Sequence, residues 1–118
     1  MREKRWSDGP AAAGAAPRDS RTDAVHPGEL LAGELGRRGV SASAAALQMR
    51  MPPTRLSEIL RGRRDVSPET ALRLGRWLGT GARFWLDCQT RHDLALAERA
   101  FGARVRREVE PADPEDNA

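Results

Sequence analysis

Proline and glycine divide the middle of this chain so closely that no helix before residue 81 has room for much more than a dozen residues. Pro27, the pair Pro52–Pro53 and Pro68 each suit the first turn of a helix, because proline lacks the N–H that an interior position must donate. Gly39 and Gly79 each follow an apolar-periodic run and suit the residue that stops a helix, and the third helix ends before Gly62. Pro27 thus opens a first helix with Leu31 and Leu35 on one face, stopped by Gly39. Ser41 caps a short second helix whose stripe is Ala45, Ala46 and Met49. Arg50-Met51-Pro52 forms the turn, and Pro53 starts a third helix expected to bury Leu56, Ile59 and Leu60.

Ser67-Pro68-Glu69 combines a capping hydroxyl, a first-turn proline and an acid where the helix dipole favours one. The fourth helix then carries Ala71, Leu74, Gly75 and Leu78 as a stripe, with Leu72 beside it. A fifth, from about Gly81, carries Phe84, Trp85, Cys88, His92 and Leu96. No pair of segments reads as strands, so the expected class is all-α, a five-helix bundle with short connections.

Of the 118 residues, 1–24 show Gly, Pro, Ala and mixed charge without periodicity and read as a disordered arm. Residues 108–118 read as an acidic flexible tail with Glu108, Glu110, Asp113, Glu115 and Asp116, leaving 25–107 as one ordered domain. The net charge of +3 says little, since Lys4 is the sole lysine and the arginine richness follows composition. Its distribution says more: Arg50, Arg55, Arg61, Arg63 and Arg64 face one acid, Glu58, in that stretch. Cys88 is the lone cysteine, so no internal disulfide or cysteine-based zinc site is expected. His26 and His92 lie far apart with no ligand-spaced partner, so no metal and no cofactor is expected. No run reaches the length of a membrane span, and the cytoplasm is the expected location. An enzyme is the least expected class, for there is no nucleophile–base pair, carboxylate dyad or phosphate loop.

The small core formed by Ala45, Ala46, Met49, Met51, Leu56 and Ile59 suits two short helices crossing steeply, with Ala46 at the close approach. That leaves Thr54, Arg55, Ser57, Glu58 and Arg61 on the free face of the third helix. In a helix-turn-helix this face enters the major groove of duplex DNA. Thr54, Arg55, Ser57 and Glu58 are the expected base-contacting residues. Arg55 can donate in parallel to guanine O6 and N7, worth about 1–3 kcal/mol of discrimination. Glu58 either accepts from cytosine N4 or holds Arg55 or Arg61 in place. Ser41, Ser43, Arg50, Arg61, Arg63 and Arg64 are the expected phosphate contacts. Phe84 and Trp85 are read as core, dimer or partner packing.

With these residues in view, the chain resembles the HigA-type antitoxins, the VapI-like branch of the Xre-family (lambda-repressor-like) helix-turn-helix proteins. HPGELL, PPTRLSEILRGRR, SPETALRLGRWLGT, FWLDCQ and HDLALAER match in order, over about His26 to Arg99. The resemblance implies a homodimeric repressor that binds a palindromic operator in its own operon and neutralises a RelE- or HigB-like mRNA endonuclease toxin. Two positions depart from the pattern: Ala42 stands where the family has Gln, and Arg50 where it has Gly in the turn. A left-handed non-glycine residue there costs on the order of 1 kcal/mol. Two alternatives stay open, an orphan regulator without a toxin and an interaction module that no longer reads DNA.

Overall fold

Local chemistry places most of the helix boundaries. The computed structural model describes residues 25–113, so the expected arm at 1–24 and the end of the acidic tail lie outside the described residues. The helices are α1 (Pro27–Arg38), α2 (Ala42–Met49), α3 (Pro53–Leu60), α4 (Pro68–Leu78) and α5 (Ala82–Glu108). Among the described residues there is no strand, and the all-α, five-helix expectation holds. Ser41 and Ser67 cap α2 and α4, accepting from the amides of Ala44 and Thr70 at 3.1 and 3.2 Å. His26 caps α1, its Nδ1 accepting from the Gly28 amide at 2.8 Å.

Three helices end in the same way. The amides of Gly39, Arg50 and Gly62 donate to the carbonyls of Gly36, Leu47 and Ile59. Those of Val40, Met51 and Arg63 reach one residue further back, to Leu35, Ala46 and Glu58. The paired pattern needs a left-handed residue at its centre. Gly39 and Gly62 supply it at no steric cost. Arg50 adopts it at φ 57°, the one non-glycine with positive φ among the described residues.

Leu31, Ala45, Ala46, Leu56, Ile59, Ala71, Leu74 and Trp85 are wholly buried and join four short helices and the start of α5. α1 crosses α3 so tightly that a Cβ on Gly28 would lie 1.8 Å from the Ile59 carbonyl oxygen. Gly75 serves the same purpose against the Gly81–Ala82 backbone, which a Cβ would meet at 2.2 Å. The connection after α3 is tied down from a distance: Gln89 of α5 accepts from the Val66 amide at 2.7 Å.

Three leucines of the apolar runs are not fully buried. Leu60, the last residue of α3, packs against the core but is only partly buried. Leu72 is 64% exposed, one position around the helix from Ala71 and off the buried stripe. Leu96 is 45% exposed, since α5 runs 27 residues against the 11 of α4 and outlasts its neighbour.

Candidate nucleic-acid interface

α3 is short and two-faced. Leu56 and Ile59 point into the core, and Thr54, Arg55, Ser57 and Glu58 lie on the remaining surface. Thr54 is exposed in the first turn, while Arg55, Ser57 and Glu58 are half-buried. Beyond the helix Arg61, Arg63 and Arg64 are exposed on the connection to α4, and Arg50 is exposed on the turn before it. At the start of α2 the Ser41 hydroxyl is engaged as a cap, accepting from the Ala44 amide, yet its proton stays available to an outside acceptor. Ser43 is exposed on the same turn. Ala42 packs partly against the core.

The ion pairs differ from those expected. Glu58 holds neither Arg55 nor Arg61; its carboxylate accepts from both Nε and Nη2 of Arg64 at 2.7 Å. The reason is the close of α3, where the chain doubles back and carries Arg64 beside the last turn. Arg55 instead faces Glu69 in the first turn of α4, at 3.8 Å. The other oxygen of Glu69 accepts from Nε and Nη2 of Arg73 at 3.1 and 3.0 Å. Arg73 in turn donates to the Met49 carbonyl at 3.1 Å, gripping the turn between α2 and α3. Among the described residues Arg50, Arg61 and Arg63 make no ion pair, which leaves their charge facing solvent.

Glu69 and Arg73 were not foreseen as part of this surface. Their spacing of four on a helix is a readable ion-pair signal, whereas the reach of Arg73 across 24 residues to Met49 is not. Gln48 and Trp77 form a second unforeseen tie between α2 and α4, the indole donating at 2.9 Å.

Trp85 offers nothing to a partner, contrary to one expectation. It is 0% exposed, and its Nε1 donates to Thr80 Oγ1 at 2.8 Å, so it belongs to the core. Phe84 packs edge-on against it, centroids 4.9 Å apart, and is half-buried. Cys88 is buried, and burial pushes its thiol above the ordinary range. His26 and His92, distant in sequence, meet edge-to-face with ring centroids 4.9 Å apart. His26 Nε2 is buried without a well-formed hydrogen bond, 3.9 Å from the Asp65 carboxylate. Among the described residues no group of three or more His, Cys, Asp or Glu side chains is arranged to hold a metal ion. No helix among them is long and apolar enough to cross a membrane.

Two short helices crossing over small residues, joined by a tight left-handed turn, with a polar face on the second, define a helix-turn-helix protein. No family model matches the chain. It is 46% identical over 77 residues to the virulence-associated protein I of Dichelobacter nodosus, covering 64% of this chain and 71% of that one. An addiction module antidote of the HigA family from Coxiella burnetii superposes with TM-score 0.73 at 39% identity, over 75% of this chain and 98% of that one. The Pseudomonas aeruginosa antitoxin HigA, solved with the higBA promoter, superposes equally well at 0.73 and 35% identity, covering 76% and 99%. The chain belongs to the HigA family of antitoxins.

Proposed function

We propose that the chain is a sequence-specific DNA-binding repressor and the antitoxin of a HigBA-type module, which represses its own operon and neutralises a RelE-like mRNA endonuclease. The observation that carries the DNA half is the outward face of α3. Thr54, Arg55, Ser57 and Glu58 lie on that face, and Arg50 before it and Arg61 and Arg63 after it are exposed with no ion pair among the described residues. A structural relative sharing 35% of its residues was solved with the higBA promoter. Arg55 reads a guanine edge; Arg50, Arg61 and Arg63 meet phosphates, joined by the hydroxyls of Ser41 and Ser43. Arg64, held on Glu58 through Nε and Nη2, keeps Nη1 for a phosphate.

A module of this size reads few base pairs, so the active form is a homodimer on a two-fold symmetric operator with half-sites about 34 Å apart. The half-buried Phe84 is a packing position for a second copy or the toxin. The test is co-purification of the tagged chain with the product of the adjacent reading frame, followed by salt-titrated binding to the DNA upstream. A complex that shifts this DNA, with affinity falling steeply as salt rises, supports the whole reading. DNA binding without a co-purifying partner removes the antitoxin half. Absence of any preference for the upstream DNA removes the repressor half.

A further inference from the structure

We propose that Glu69, on α4 and outside the reading helix, is a positioning residue that sets the base preference of Arg55. The proposal rests on the reading of α3 as the helix that contacts base edges. Recognition of guanine by arginine needs the guanidinium plane aligned with two acceptors at once. A free arginine side chain must give up rotamer entropy to hold that plane. Arg55 is already constrained: its side chain is 28% exposed, against 50% for Arg64. Its guanidinium lies against one oxygen of Glu69 at 3.8 Å.

The carboxylate is itself held. Its second oxygen takes two bonds from Arg73, whose remaining nitrogen is fixed on the Met49 carbonyl. Glu69 also stands in the first turn of α4, just after Pro68, where the helix dipole favours its charge. A carboxylate held by two bonds from Arg73 thus sits beside the Arg55 guanidinium. It faces Nη1 of Arg55 and leaves the other donors for a base. Because one carboxylate serves two guanidiniums, the cluster keeps a net positive charge and does not repel phosphate.

Glu69→Gln isolates this role. The amide oxygen still accepts from Arg73, so the turn keeps its clamp, but the charge is lost and the amide N–H₂ now faces Arg55, donor against donor. The experiment uses the full chain and the duplex that the wild-type protein selects from a randomised pool. Base preference, salt dependence and thermal midpoint are read for wild type, E69Q, R55A and the double variant. The expected result is a loss of about tenfold in preference at one base position for E69Q. Its melting temperature should stay near that of wild type, and E69Q should add nothing in the R55A background. An unchanged preference in E69Q overturns the proposal and leaves the DNA reading standing. An equal effect of E69Q with and without Arg55 also overturns it, for Glu69 would then act through the turn alone. If the wild-type chain selects no duplex, the DNA reading fails and this proposal with it.

Discussion

Arg73 donates to the carbonyl oxygen of Met49 at 3.1 Å, one residue before the left-handed Arg50. The turn between α2 and α3 therefore carries a strained residue and the clamp that holds it. Opposite effects follow at the two positions. Arg73→Ala should cost about 1–2 kcal/mol, the net worth of a hydrogen bond from a charged donor at a partly exposed site. Arg50→Gly should relieve about 1 kcal/mol of left-handed strain, raising the melting temperature by roughly 4–8 °C for a domain of this size. Thermal unfolding of both variants checks the pair. A fall for Arg50→Gly would mean that the arginine side chain supports the turn.

Glycines in α1 and α4 differ in what surrounds them. An alanine methyl at position 28 would lie 1.8 Å from the Ile59 carbonyl oxygen, and one at position 75 would lie 2.2 Å from the Gly81 backbone. Backbone cannot step aside as a side chain can, so Gly28→Ala and Gly75→Ala should each cost about 3 kcal/mol or more. Gly36 has nothing within 4 Å of the same position. Gly36→Ala should stabilise the chain by about 0.5–1 kcal/mol, the ordinary helix preference for alanine over glycine. Urea unfolding midpoints of the three variants decide the matter by sign alone.

His26 ties stability to pH. Burial first, and His92 second, hold its imidazole below the ordinary value of 6.5, while Asp65, Asp93 and the Arg64 backbone pull the other way without prevailing. As pH falls past 6.5, the unfolded chain takes up this proton before the folded one, so the unfolded state gains. Stability is full above that pH and declines until the folded imidazole is protonated as well. The urea midpoint of the wild type should drop between about pH 7 and about pH 5. His26→Asn keeps an acceptor for the Gly28 amide and should flatten the profile while shifting it as a whole. An equally steep profile in His26→Asn would assign the dependence to other groups.

Local chemistry made most of the fold legible. Ser67-Pro68, Gly39 and Gly79 act within a single turn, and the helices they bound follow from short-range bonding that any reader can trace. Leu60, expected to be buried, is only partly so, because burial depends on what lies opposite, which periodicity alone does not contain. The polar ties failed for the same reason more sharply. Glu58 had Arg55 and Arg61 within helical reach, but the chain reversal after Gly62 brought Arg64 closer. Arg73 with Met49, Gln89 with Val66 and His26 with His92 each join elements that meet only in the finished bundle. The outward face of α3 was readable from the periodicity of Leu56 and Ile59, and the ion pairs that Glu69 and Arg73 of α4 make behind it were not.

That support separates two arginines that look alike in sequence. Arg55 lies on α3, half-buried and backed by Glu69, whereas Arg63 is exposed on the following connection with no ion pair among the described residues. If α3 reads bases, Arg55→Ala should lower affinity for the preferred duplex by about 1–3 kcal/mol and leave random duplexes nearly unaffected. Arg63→Ala should weaken preferred and random duplexes alike and lower the slope of log affinity against log salt by about one. Salt-titrated binding of each variant to both duplexes gives the four numbers needed. Were Arg63→Ala to alter base preference while Arg55→Ala did not, the connection after α3 would be the reading element. The helix would then lie across the groove with its other end inward.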